Sequence, residues 1–266
     1  MSRTSSRSAA ASSVVSPVPP SAADLEVIHR DDVLVAIAKP SGLAVHRGAA
    51  RDPVYALELV RDRVGAYVYP VHRLDRPTSG VLLFALDRDV AGACGKAFAE
   101  GRIDKRYLAL VRGVPPEQVI LDKPLREIVD RRGRSQDRPA ADPRPARTEL
   151  RRLAVFEDRY ALVEVRPRTG RRHQIRRHLK GASWPILGDV RYGKGEHNRL
   201  FRRRFGLHRL ALHALALSLT HPISQKQLML RAPPPPDLAR PLAAMGFNDV
   251  LRLSSVRSTS RATLPS

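Results

Sequence analysis

His72-Arg73-Leu74-Asp75-Arg76-Pro77-Thr78-Ser79-Gly80 runs directly into the six apolar residues Val81-Leu82-Leu83-Phe84-Ala85-Leu86. An apolar run of this length after a Pro and a Gly reads as a buried strand. Asp75 then lies in the turn that feeds the strand, on a rigid support with its head still reachable. Arg73 and Arg76 flank it, and neighbouring guanidiniums favour the charged form of a carboxylate. A charged carboxylate on such a support is suited to act as a nucleophile. Most loop aspartates are instead solvated members of surface ion pairs, so the reading of Asp75 depends on what the rest of the chain brings to it.

Around this stretch the pattern alternates between strands and helices. Val33–Ala38 reads as a strand and Lys39-Pro40-Ser41-Gly42 as a turn. Pro53–Arg63 has helical spacing with Pro53 in its first turn. Strands are expected over Ala66–Val71, Val81–Leu86, Tyr107–Val111 and Ala161–Val165. Helices are expected over Asp87–Glu100, closed by Gly101, and over Arg171–Lys180, closed by Gly181. The single cysteine, Cys94, falls in the first of these as a small buried residue, and one cysteine excludes an internal disulfide or a cysteine-cluster zinc site. The Pro- and Arg-rich stretch Arg131–Arg147 reads as an exposed loop. Strands interrupted by two or three helices predict one α/β domain of α+β type, a mixed, largely antiparallel sheet flanked by helices. It is expected to occupy residues 24–250, between disordered tails at 1–23 and 251–266.

Two further segments hold chemistry-bearing residues. Lys105-Arg106-Tyr107-Leu108-Ala109-Leu110-Val111-Arg112-Gly113 is strand-like, and Tyr107 read alone is an ordinary core aromatic. Arg168-Thr169-Gly170-Arg171-Arg172-His173-Gln174-Ile175-Arg176-Arg177-His178-Leu179 reads as a turn into a helix. On that helix Ile175 and Leu179 share one face, and Arg172 and Arg176, also four apart, share another. His173 and His178 are five apart, unlike the i, i+4 histidine pair of helical zinc sites, so no metal is expected. No Gly-rich phosphate loop is visible, and no cofactor is expected.

Together these three segments resemble the signatures of the RluA-type pseudouridine synthases: His-Arg-Leu-Asp-Arg-x-Thr-Ser-Gly, Lys-x-Tyr-x-Ala-x-Val-x-Gly and Thr-Gly-Arg-x-His-Gln-Ile/Leu-Arg-x-His. The likeness extends through Ile37–His46, Trp184–Asp189 and Arg209–Ala214, roughly residues 25–250. About 24 residues precede that region, too few for an additional RNA-binding domain. The resemblance implies an isomerase that turns a uridine of RNA into pseudouridine without cofactor. It implies that Asp75 is the catalytic carboxylate, that Arg176 pairs with it, and that Tyr107 stacks on the target base and helps remove its ring proton. It also implies that Arg73 enters the space left by a flipped base. His72, Arg76, Arg171, Arg172, His173 and Gln174 are then expected to contact RNA. Gly193–Arg199 and Arg204–Leu207 are similar to an insertion in a tRNA-modifying branch of the family, whose target lies beside the T-stem. A tRNA is therefore the expected substrate, with 23S ribosomal RNA as the alternative.

Composition points the same way. The chain has 266 residues, with 47 Lys and Arg against 26 Asp and Glu, for a formal net charge of +21. The two tails carry five arginines and no acid, which leaves +16 on the remainder. So basic a folded region suits a polyanionic partner and a salt-dependent affinity. No apolar run approaches the ~18 residues of a membrane span, so no membrane partner is expected, and the chain is expected to act as a cytoplasmic monomer. A non-catalytic RNA-binding protein would explain the charge, but not the joint supply of a carboxylate, a tyrosine and an arginine.

Overall fold

A computed structural model of the chain describes residues 21–47, 52–128 and 142–255. In chain order the elements are β1 (Val27–Arg30), β2 (Leu34–Lys39), α1 (Ala56–Val64), β3 (Tyr69–Pro70), β4 (Ser79–Ala85), α2 (Arg88–Ala99), β5 (Asp104–Arg112) and β6 (Gln118–Asp122). They continue with β7 (Arg147–Phe156), β8 (Tyr160–Pro167), α3 (Gln174–Gly181), α4 (Gly195–Phe205), β9 (Leu212–Thr220), β10 (Gln227–Arg231), α5 (Pro236–Ala244) and α6 (Asn248–Ser255). The ten strands form one mixed sheet in the order β1-β2-β4-β9-β5-β8-β7-β6, with β3 added on β4 and β10 on β9. The expected α+β architecture is therefore present, although the described residues hold six helices rather than two or three.

Every strand pair is antiparallel except β4 with β9, which run parallel for two residue pairs, Ser79↔His213 and Gly80↔Ala214. Beyond that seam the strands part, and their freed edges pair with β3 and β10. Two antiparallel halves thus meet at the N-terminal ends of β4 and β9. Gly80 makes the seam possible: it has φ +114°, and a Cβ there would run into the Ala214 carbonyl.

β4 is buried along its whole length, as its apolar run predicts. Leu82 and Phe84 face α1 in one core, and Val81, Leu83 and Ala85 face α2 and Cys94 in another. A third core joins β5 and β8 to α3, α4 and α5. Asp87 caps α2 by accepting from the amides of Asp89 and Val90, and Gly101 follows the helix at φ 72°.

Several boundaries differ from the sequence reading. α1 begins at Ala56, not Pro53, because Tyr55 is extended and bridged to Ala44, whose carbonyl accepts from the Ala56 amide. The strand expected over 66–71 is reduced to the pair Tyr69–Pro70. α3 begins at Gln174 rather than Arg171, since His173 is left-handed at φ 53°. The sequence reading gives no strand for β1, β6, β7, β9 or β10. α6 crosses residue 250, where the sequence places the start of a loose tail. The N-terminal tail up to residue 20, most of the Arg-rich loop (129–141) and residues 256–266 lie outside the described residues.

Candidate active site

A cleft of about 460 Å³ opens where the two halves of the sheet meet. The turn before β4 brings His72, Arg73, Asp75 and Thr78 to it, β5 brings Lys105 and Tyr107, and the segment from Pro167 through α3 supplies Thr169, His173 and Arg176. The three segments singled out in the sequence are at least 25 positions apart along the chain and line one space.

Asp75 is partly buried, and its Oδ2 accepts from Arg176 Nη1 at 3.0 Å. Arg176 itself is buried and is gripped from behind by Asp189. Its Nε donates to Asp189 Oδ2 at 2.7 Å and its Nη2 to Oδ1 at 2.9 Å, a two-pronged charge-assisted pair. Oδ1 also accepts the amides of Arg191 (2.9 Å) and Tyr192 (3.0 Å). Burial disfavours both charges. The Asp189 contacts and then Asp75 nonetheless raise the pKa of Arg176, while Arg176 and the two amides lower that of Asp189. The turn holding Asp189 is tied to α4, whose Asn198 accepts from the Gly188 amide and donates to the Asp189 carbonyl. The arrangement is a fixed chain, Asp189 to Arg176 to Asp75, with Arg176 and Asp75 in the cleft wall and Asp189 behind them.

The guanidiniums beside Asp75 in sequence do not make this pair. Arg76 Nη2 reaches Asp52 at 2.7 Å and its Nε donates to the Gly42 carbonyl at 2.9 Å, so Arg76 braces the turn and does not line the cleft. Arg73 is exposed at the cleft. Below the turn, Lys39 is almost wholly buried and donates to the carbonyls of Pro40 (2.8 Å), Leu43 (2.7 Å) and Arg76 (3.2 Å). Burial, with Arg209 next, pulls its pKa down to about 7 against the charge of Asp75.

The remaining groups are largely uncharged. His72 Nε2 accepts from the Leu83 amide at 3.0 Å and its ring stacks on Phe98 at 4.9 Å. Burial and then Lys105 lower its pKa to about 3, so it is a neutral imidazole with the proton on Nδ1. Burial brings His173 down to about 4; its Nδ1 meets the Tyr192 hydroxyl at 2.9 Å, and its Nε2 lies 3.8 Å from Asp75 Oδ1. Burial and then the Asp75 charge push the Tyr107 phenol well above its usual range, so it is neutral. Thr78 Oγ1 is buried in the cleft wall and has no hydrogen-bond partner among the described residues.

Three expected RNA contacts have bonds within the protein, and Arg171 and Arg172 also line the cleft. Gln174 is buried with its amide saturated: Oε1 accepts from Thr169 Oγ1 (2.7 Å) and the Arg171 amide (3.0 Å), and Nε2 donates to the Arg147 carbonyl and Thr148 Oγ1 (both 3.0 Å). It locks the turn before α3 to β7 and has nothing left to offer RNA. Arg171 donates to the Pro145 carbonyl and Arg172 to that of Ile128. Arg172 also lies before α3 begins, so it does not share a helical face with Arg176, which is buried where Arg172 is exposed. His178 is buried against Thr148 and the Lys123 carbonyl, away from His173.

Asp189 and Tyr192 are the residues the sequence reading passed over. The segment Trp184–Asp189 was noted for its likeness to the family, but a single Asp after Leu-Gly carries no local sign that it will grip an arginine thirteen positions earlier. Tyr192 packs its ring 5.0 Å from the Arg176 guanidinium.

Comparison with known proteins agrees with this geometry. Residues 33–181 match the family model described as RNA pseudouridylate synthase. The chain is 41% identical over 220 residues to tRNA pseudouridine synthase C of Vibrio cholerae, covering 78% of this chain and 90% of that one. It is 42% identical over 220 residues to the protein of the same name from Salmonella typhimurium, covering 78% and 85%. Among solved structures, human RNA pseudouridylate synthase domain containing 4 superimposes with a TM-score of 0.69 at 27% identity, covering 83% of this chain and 93% of that one. A carboxylate, a tyrosine and a braced arginine meeting in one cleft, on this fold and with these relatives, place the chain in the RluA-type RNA pseudouridine synthase family, isomerases that convert uridine to pseudouridine.

Proposed function

We propose that the chain isomerises a uridine of tRNA on the acceptor side of the T-stem, with Asp75 as the residue that starts the reaction. The supporting observation is the fixed pairing of Asp75 with Arg176, whose own position is set by Asp189. The names of the Vibrio cholerae and Salmonella typhimurium relatives, both tRNA pseudouridine synthase C, favour tRNA over ribosomal RNA.

In this reaction uracil leaves C1′, turns, and rejoins the sugar through C5, so no net oxidation or hydrolysis occurs. Arg176 holds the Asp75 carboxylate charged and aimed into the cleft. The base enters beside Tyr107, which stacks on it. As a neutral phenol, Tyr107 takes the C5 proton only by passing its own proton on, so it serves as a relay rather than a standing base. A target inside a stem must leave the base stack at a cost of a few kcal/mol. Arg73, exposed at the cleft mouth, has the planar donor set to stack in the vacated space.

Site-resolved pseudouridine mapping on unmodified tRNA and 23S fragments tests this reading. Wild type should install one pseudouridine in the T-stem, and Asp75→Asn should install none while still binding the tRNA. Product from Asp75→Asn above about 1% of the wild-type rate would remove Asp75 from its role. Product only in ribosomal RNA would move the substrate and leave the chemistry.

A further inference from the structure

A second cavity, of about 600 Å³, lies against the residues of α3 that alternate with Arg176. Its floor is apolar, formed by Leu121, Leu125 and Ile120, the last being 52% exposed on the edge strand β6. Four cations surround it: Lys123 and Arg126 on the segment after β6, and Arg177 and Lys180 on α3. None of the four has a carboxylate partner among the described residues. Other cations do pair with carboxylates, such as Arg166 with Glu164 at 3.0 Å, Arg168 with Glu149 at 2.6 Å and Arg209 with Asp237 at 3.0 Å. The one carboxylate of the lining, Asp122, is 3.4 Å from Arg147. Arg199, Arg202 and Arg203 of α4 also have no carboxylate partner, but they line neither cavity.

We propose that this cavity docks the RNA substrate at a nucleotide other than the target, with phosphates on the four cations and the sugar or base on the apolar floor. The proposal rests on the reading of tRNA as substrate. Unpaired cations around an apolar floor match a nucleotide, which offers an anion and an apolar face together. The two cavities are also continuous in their walls. Tyr192 lines the second, while its hydroxyl meets His173 and its ring packs on Arg176 in the first. α3 (eight residues) lies between them, and a helix with its side chains is about 10–12 Å across. An RNA bound at Asp75 need extend only a few nucleotides to occupy both.

The test compares wild type with a Lys123→Ala, Arg126→Ala, Lys180→Ala triple variant, all three sites being exposed. The probe is an unmodified tRNA transcript, titrated at several salt concentrations, with pseudouridine formation by wild type followed on the same transcript. A charge-matched control replaces Arg61, Lys96 and Lys226, which line neither cavity. The triple variant should bind at least tenfold more weakly near 0.1 M salt, and its log–log salt slope should flatten by about 2–3, since each lost phosphate contact accounts for about 0.7–0.9. The control should move Kd by no more than about twofold. Product from wild type with an unchanged Kd and slope in the triple variant would overturn this proposal alone, as would an equal loss in the control. No product from wild type on tRNA would overturn the substrate reading and this proposal with it.

Discussion

Asp189→Asn should separate the aim of Arg176 from its presence. Asp189 is about 1% exposed, and its two oxygens accept four hydrogen bonds: Oδ1 from Arg176 Nη2 and the amides of Arg191 and Tyr192, Oδ2 from Arg176 Nε. An asparagine oriented to keep the three bonds at Oδ1 sets its NH2 against the Arg176 Nε–H, donor against donor. Flipped, it loses both amides and Nη2. Either way a buried guanidinium keeps Asp75 but loses the more buried of its two carboxylates, which costs up to about 3–5 kcal/mol. In a domain of this size each kcal/mol lowers Tm by about 2–4 °C, so Tm should fall by roughly 10 °C. Because Asp189 has its pKa lowered by folding, its stabilising contribution is present above about pH 4 and is lost as pH falls through the folded value. The stability gap between wild type and variant should therefore close in acid. For activity, Arg176 keeps its bond to Asp75 but not its direction, and misplacement of a positioned group costs about 10²-fold in rate. Single-turnover rates on tRNA should drop by that factor at saturating enzyme, with Kd within about threefold of wild type. A variant that melts within 2 °C of wild type and turns over within threefold of it would refute the argument that Asp189 aims Arg176.

Gly80→Ala should cost at least about 3 kcal/mol in denaturant unfolding, because both the positive φ and the Ala214 carbonyl oppose a Cβ; a loss below 1 kcal/mol would mean the seam adapts. Thr78→Val should leave stability unchanged or raise it by up to about 1 kcal/mol, since a buried hydroxyl without a partner is removed. The same change should lower kcat/KM about fivefold to tenfold if the hydroxyl bonds substrate, and unaltered kinetics would rule that out. Burial lowers the His213 pKa to about 4, with Nε2 donating to the Ala232 carbonyl at 2.8 Å and Nδ1 accepting from Ser79 Oγ at 2.7 Å. Protonation therefore favours the unfolded chain: about 3 kcal/mol is present above pH 6.5 and is lost as pH falls to 4. A histidine ring proton from His213 that titrates near 6.5 in the folded protein would contradict this.

What was legible in the sequence was local. The apolar run at 81–86 and the terminal Gly101 announce their elements because each depends on its nearest neighbours. Asp75, Tyr107 and Arg176 were legible only through the resemblance of whole motifs, since each taken singly is an unremarkable loop, core or helix residue. The errors have a common physical source. α3 starts late because the Gln174 side chain satisfies the Arg171 amide and ties Thr169 and β7 together, contacts that span the chain from 147 to 174. Arg76 sits beside Asp75 in sequence but turns to Asp52, and Asp189 finds Arg176 from the far end of a helix. Which carboxylate a guanidinium meets is settled by tertiary packing, and charge order along the chain does not record it.

The parallel seam explains why the site lies where it does. β4 and β9 pair for two residues only, at their N-terminal ends, and the cleft lies just before that paired seam, lined by Thr78 and Leu212. The seam is also where the sheet is polar inside: Ser79 Oγ accepts from Arg209 Nη2 at 2.6 Å and donates to His213, and Arg209 continues to Asp237 at the start of α5. That network holds the first residue of β4 from behind while Lys39 holds the Arg76 carbonyl from below. Asp75, four residues before Ser79, therefore hangs between two fixed points, with its own carbonyl accepting from the Thr78 amide at 2.9 Å. A nucleophile or base that must meet one ribose carbon benefits from such restraint more than from any single added contact, because the geometry is set before the substrate arrives. On the proposed role of Asp75, the rigid seam makes it the fixed element of the reaction and leaves the uracil, which must detach and turn, as the part that moves.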